Sequence, residues 1–411
     1  MVSRWRPTMR VLISGASIAG PTLAYWLVRS GHQVTIVERA PALRPGGNGV
    51  DLRAGSLRVV ERMGVLPAVR EHANDVRGLL FLSRSGRPAA RVDLRAIADS
   101  MGTDGLEIPR GELARILYDA TSDDVEYVFG ETIDALAGGD VRFAGGATRE
   151  FDLVVGADGT HSGVRRLAFG PEEQFVHSLG HCFAVAAAGS TLGTPRWTSL
   201  LNWPGRSIAV ERPGNREHAT VQFGFRYADA LAAARLDVDA QKALVERIFG
   251  PLAPELTRGA LDDPGFYFDA LSQVKMPSWS TGRVVLVGDA AHCASPVAGA
   301  GAQLAVESAY RLAGELAGDP DGALQRYEAG HRPVVEAAQK GLFLGTVVPR
   351  TNAGILARNT LAKLPAIRLL AGLERRLRKP HPPLPDHPFS AAAPAGSPAP
   401  GSTSTAASSA N

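Results

Sequence analysis

The sequence predicts an α/β protein: a Rossmann-like domain with a parallel sheet between helices, interleaved with a mixed β-sheet domain and followed by C-terminal helices. Three features lead there. Apolar runs at 11–13, 153–155 and 284–287 are short and rich in branched residues, as strands buried on both faces are. Each run ends in a small-residue or Gly-Asp turn, the place where parallel sheets put ligands. The first and third turns lead into segments with apolar residues at helical spacing, which is the strand–turn–helix order of a doubly wound fold.

The first pair of elements is the most informative. Residues 15–20 read GASIAG, between the run at 11–13 and a helical pattern at 18–29 that stops at Gly31. A second strand pattern at 33–37 closes on Glu38 and Arg39. Gly15 allows a tight turn, and Gly20 lets the helix pack on the sheet. Ser17 stands where a phosphate would approach the backbone, beside Ile18 and Ala19. Glu38 follows Gly15 by 23 residues, near the spacing of a carboxylate that accepts ribose hydroxyls. The hexapeptide alone also suits a plain strand–helix bend.

The second element, DLVVGADGTHSGVRR at 152–166, sets Asp158 and Gly159 at a strand end. Ser162 and Arg165 follow near a helix start, within reach of an anion. An Asp-Gly after a strand is equally a capped turn. The third element, at 283–317, places Gly288 and Asp289 at a strand end. A loop with Pro296, Gly299 and Gly301 then leads into a helix from Ala302, whose positive N-terminus points into that loop. His292 reads either as a proton relay or as a satisfied structural residue, with the structural role favoured. Cys293 reads as a small buried filler.

As an ordered set, GASIAG…VER, DLVVGADGTHSGVRR and GDAAHCASPVAGAGAQ resemble the three fingerprints of the FAD-dependent aromatic monooxygenases. These are single-component flavoprotein hydroxylases of the para-hydroxybenzoate hydroxylase type. By order and spacing the similarity runs from about residue 9 to 375. It implies that FAD is bound by Gly15, Ser17, Ile18, Ala19, Gly20, Glu38, Arg39, Asp158, Gly159, Gly288, Asp289, Pro296, Gly299, Gly301 and Ala302. EIPRGELARIL resembles the family's arginine-containing helix start, which would bring Arg110 to the FAD. ERAPALRPGGNGVDL resembles the loop over the flavin ring. There Arg44 would be a nicotinamide-side contact, and Gly46, Gly47 and Gly49 would let the backbone approach. Ser17, Gln303 and Ser308 depart from the family's glycine, asparagine and aspartate, and each keeps a small or polar group in place.

The resemblance further implies NADPH or NADH as a transient co-substrate, because no second glycine fingerprint of comparable quality is present, and molecular oxygen as the oxidant. In the implied cycle the reduced flavin forms a hydroperoxide that hydroxylates or epoxidises an aromatic or polyketide-like small molecule. No side chain is assigned a catalytic role beyond Arg44 and His292 as auxiliaries. A related flavoprotein reductase or oxidase without oxygen insertion, and a non-catalytic flavin- or ligand-binding protein, are the alternatives; the W-x-W-x-I-P signature of flavin halogenases is absent.

The expected division gives the FAD-binding domain residues 9–75, 101–175 and 276–320. A hairpin at 76–100 joins a substrate-binding sheet at 176–275, C-terminal helices occupy 321–380, and the Pro-, Ala- and Ser-rich residues 381–411 form a disordered tail. In the sheet Trp203, Phe223 and Phe225, with Pro296 opposite, are candidate pocket walls, although alternation would send only some inward. The 411 residues, 45% hydrophobic and 21% charged, are enough for two domains. A net charge of +3 spread along the chain gives no nucleic-acid footprint. Two cysteines, Cys182 and Cys293, argue against a disulfide scaffold or a cysteine metal site. No apolar run spans a bilayer, so no integral membrane association is expected. The opening residues do not form a secretory signal, so the expected location is cytoplasmic, as a monomer or homodimer.

Overall fold

The computed structural model describes residues 8–101, 105–189, 193–340, 344–363, 384–387 and 389. The branched runs occupy the middle of a six-stranded sheet, where helices cover both faces and alternation is not required. Its order is Ser280–Thr281, Val284–Leu286, Leu153–Gly156, Arg10–Ser14, Gln33–Glu38, Glu126–Phe129. All pairs are parallel except the outermost, Ser280–Thr281 with Val284–Leu286. Val11, Leu12, Ile13, Leu153, Val155, Val285 and Leu286 are completely buried. Helix Ala19–Arg29 lies on this sheet beside helix Gly301–Gly318, and Trp26 meets Tyr310 edge to face.

The second layer is a seven-stranded sheet in the order Tyr267–Val274, Val176–Ala188, Ala219–Arg226, Arg206–Arg212, Trp197–Trp203, Gly78–Leu82, Pro88–Asp93. The hairpin Gly78–Leu82/Pro88–Asp93 enters it through parallel pairing of Gly78–Leu82 with Trp197–Trp203. Helices Val238–Phe249 and Pro254–Leu261 cover the outer face, where Phe223, Phe225 and Phe249 form an aromatic core. Helix Ala323–Lys340 packs on Gly301–Gly318, and Asn352–Leu361 follows.

One expectation about the tail is corrected. Leu384 is buried, Tyr310 donates its hydroxyl to Pro385 O at 3.2 Å, and the Phe389 ring lies 4.4 Å from Trp26. These apolar groups, set in a proline-rich stretch, find a groove on the first domain, so residues 384–387 and 389 are ordered against it. The rest of the tail, and residues 364–380 of the expected helices, lie outside the described residues. Among the described residues no helix is long and apolar enough to cross a membrane, and no cluster of metal-ligating side chains occurs.

Candidate functional site

Parallel pairing levels the C-terminal ends of four strands. Ser14 is in register with Val37 and Gly156, and Gly156 with Leu286. The turns beyond them interlock: Gly15 N–H donates to Val37 O at 2.8 Å, Ala157 N–H to Ser14 O at 2.8 Å, and Val287 N–H to Gly156 O at 2.9 Å. Gly15, Glu38, Asp158 and Asp289 therefore emerge along one edge. This closeness dictates glycine. Gly15 has φ +111°, and a Cβ there would sit 2.5 Å from Ala157 O. A Cβ at Gly20 would sit 2.0 Å from Gly15 O.

Helix Ala19–Arg29 starts at Ile18 with no side-chain cap, and helix Gly301–Gly318 starts at Ala300 likewise. Both N-termini, with their unsatisfied amides and positive dipole ends, face the same crevice. The Glu38 carboxylate accepts from the Ala16 and Ala40 amides, both at 3.0 Å. Arg110 begins helix Arg110–Asp119 and donates Nε–H to Ser17 Oγ at 3.4 Å, so the residue in place of the middle glycine contacts the expected cofactor arginine. The 44–49 loop docks on this helix start through Gly111 N–H to Gly46 O at 2.8 Å. A Cβ on Gly111 would meet Gly46 N at 2.7 Å and Arg44 O at 2.8 Å. The sequence reading missed Gly111; a glycine second in a helix is its only signal. Arg39 and Arg44 are exposed.

Asp158 is held by the Ser162 hydroxyl and by Val164 N–H at 3.1 Å; burial pushes its carboxyl pKa up, and these donors oppose the shift. Ser162 also caps its helix, accepting from Arg165 N–H at 2.9 Å. Arg165 does not present an anion site, contrary to expectation. Its guanidinium is fully buried and donates to Ala290 O at 3.0 Å and Thr160 O at 2.6 Å, tying the second motif to the third. Gly288 adopts φ +59°, and its N–H donates to the buried Ser308 hydroxyl at 3.2 Å. Burial raises the pKa of Asp289, and the Arg110 charge lowers it. In the next loop Ser295 has φ +86°, a strained value for a non-glycine residue, ahead of exposed Pro296 and left-handed Gly299.

The seven-stranded sheet faces this edge with one parity of its residues. Asp269 takes His161 Nε2 at 3.2 Å, while Glu172 takes Nδ1 at 3.1 Å, and Tyr267 donates to Asp269 at 2.8 Å. These bonds push the His161 pKa up to about 9. Toward the other end, Asn74 Nδ2 donates to Glu107 at 3.0 Å and to Glu211 at 3.3 Å. Burial, with the Glu107 carboxylate beside it, pushes the Glu211 pKa well up. Asp51 pairs in register with Glu107, and a Cβ on Gly299 would lie 3.2 Å from its Oδ2. Gln222 and Gly224 share the parity of Glu211 through its partner Thr220.

Three expected pocket walls are corrected by that parity. Phe223 and Phe225 are buried against Phe249, and Trp203 packs at the edge of the same outer cluster, on the side away from the motif loops. His292 is buried between Trp279 and His331, and burial lowers its pKa to about 3, which keeps the ring neutral. Neither ring nitrogen has a hydrogen-bond partner among the described residues.

The chain matches the FAD binding domain family over residues 8–341. A flavin-dependent monooxygenase of an unknown prokaryotic organism is 34% identical, over 81% of this chain and 88% of that protein. The chain belongs to the FAD-dependent aromatic monooxygenase family. An uncharacterized protein of Mycobacterium tuberculosis is 42% identical over 75% of this chain and 86% of its own length. The crystal structure of the tetracycline destructase Tet(51), 30% identical, superposes with a TM-score of 0.75 over 90% of this chain and 99% of that one. FAD is the cofactor of the family, and the glycine cradle with its two uncapped helix ends has the donor chemistry a dinucleotide needs.

Proposed function

We propose that the crevice between the two sheets holds FAD, and that the protein uses NADPH or NADH and dioxygen to hydroxylate or epoxidise an aromatic or polyketide-like small molecule. The observation carrying this reading is the convergence of Gly15, Glu38, Asp158 and Asp289 on one edge, opposite a polar sheet face. The amides of residues 17–20 would take the pyrophosphate, Glu38 the ribose hydroxyls, and Asp289 with Arg110 the ribityl chain. When bound, the flavin would supply the redox chemistry, taking two electrons from the nicotinamide and delivering one oxygen atom to the substrate while the other leaves as water. The start of helix Gly301–Gly318 would stabilise negative charge on the ring. Pro296, Gly299 and Ala302 would line its approach, and Arg44, which is exposed, would meet the nicotinamide. Across from them stands the Glu211, Glu107 and Asn74 cluster, in which burial and the Glu107 carboxylate push the Glu211 pKa well up; the cluster would be the polar group nearest a substrate on that face.

Similarity to Tet(51) makes tetracyclines and related polyketides the first compounds to screen. Purified protein should be yellow, and NADPH oxidation should rise on substrate addition. One atom of labelled dioxygen should appear in the product. Substrate-stimulated NADPH oxidation with unlabelled product would favour a reductase or oxidase instead, and no turnover with any screened compound would favour a binding protein.

A further inference from the structure

We propose that a second, arginine-lined site on the seven-stranded sheet binds a multiply charged anionic group. It is a shallow depression, open to solvent, lined by Pro204, Gly205, Arg206, Arg226 and Arg350. Three guanidinium groups thus share one opening, and among the described residues none of them forms an ion pair. Some exposed arginines elsewhere are matched, as Arg142 is by Asp134 at 2.6 Å and Arg326 by Glu315 at 2.8 Å; what sets these three apart is that they share one opening. Gathering like charges without a counter-charge is unfavourable, and an anion with several oxygens removes that cost.

The frame that holds these side chains is cross-linked by the backbone. Gly205, at φ +71° in the hairpin turn, donates to Pro349 O at 2.8 Å and accepts from Arg226 N–H at 3.0 Å. Asn202 Nδ2 donates to Val347 O at 2.9 Å. The turn, the end of strand Ala219–Arg226 and the 347–350 segment are therefore tied to one another. Arg226 has the parity of Gly224 and Gln222, whereas Arg206, paired with Phe225, has the opposite one, so the opening lies at the end of the sheet where the two parities meet. Burial lowers the pKa of nearby His181; its bond to Leu179 O opposes the shift, and the charges of Arg226 and Arg350 add to it.

The ligand class rests on the oxygenase reading above. Phosphate groups on the nicotinamide reductant, or an acidic group on the substrate, supply the same chemistry. The test is calorimetric titration of flavin-loaded protein with inorganic pyrophosphate at low salt, for the native chain, Arg226→Ala/Arg350→Ala and Arg226→Gln/Arg350→Gln. Binding by the native chain should weaken about tenfold or more in both variants, with flavin absorbance and melting temperature unchanged. A raised KM for NADPH but not NADH assigns the site to the reductant's extra phosphate, and a raised KM for an acidic substrate assigns it to the substrate. Absence of pyrophosphate binding by the native chain, equal affinity in the variants, or unmoved KM values throughout overturns the proposal. Failure of the native chain to oxidise NADPH would strike the oxygenase reading alone, because pyrophosphate binding is read without turnover.

Discussion

The two faces of the crevice are built in different ways. On the dinucleotide side, backbone does the shaping: Gly15 and Gly20 exist because carbonyl oxygens of Ala157 and Gly15 occupy the space of a side chain. On the side of the seven-stranded sheet, side chains do the shaping, and their direction is set by strand register. Steric necessity leaves a narrow choice of residue types and so a readable motif. Register leaves many choices, and a single residue of shift exchanges wall for core.

The contrast can be broken by substitutions on each side. The largest effect is expected for Phe223→Ala, which should lower stability by about 3–5 kcal/mol through a cavity beside Phe249. The flavin content of the protein that remains folded should be unchanged. A flavin-depleted but thermally normal Phe223→Ala would return that ring to the pocket. Next, Gly20→Ala should cost at least about 3 kcal/mol, since its Cβ would collide with backbone. Gly224→Ala meets only the Ser207 hydroxyl at 2.9 Å and Val348 at 3.5 Å, which can yield, and should cost under about 1 kcal/mol. Similar melting temperatures for the two alanine variants would erase the distinction.

Smaller effects sharpen it. Ser308→Ala would leave the Gly288 N–H without its acceptor, at about 1–2 kcal/mol, and chemical denaturation should register it. His161 joins the two faces and has a folded-state pKa of about 9, above its ordinary value of 6.5. Its contribution is therefore full below about pH 6.5 and fades as pH rises through 9. Because the ring is partly exposed, the effect should be modest. The difference in melting temperature between the native chain and His161→Gln should shrink between pH 6 and pH 9.5; a constant difference would mean that the imidazolium does not clamp the sheets.

Legibility followed the same division. The runs at 11–13 and 153–155 could be read because a parallel strand buried on both faces has no polar position to confuse the pattern. Asp158 and Asp289 could be placed because each ends such a run. Arg165 was misjudged because its buried acceptors, Thr160 O and Ala290 O, are carbonyls that any sequence would supply. Glu211, Glu107 and Asp51 come from three separate strands, and no local spacing announces their meeting. Phe223 and Phe225 looked like pocket walls because aromatic alternation marks a half-buried strand without saying which half faces the ligand.

The most direct measurement is FAD titration of apoprotein, followed by flavin fluorescence, for the native chain and Asp289→Ala. If the strand ends form one dinucleotide cradle, affinity should fall at least about tenfold, with melting temperature of the apoprotein little changed. Equal affinity would contradict a cradle that includes the third strand end.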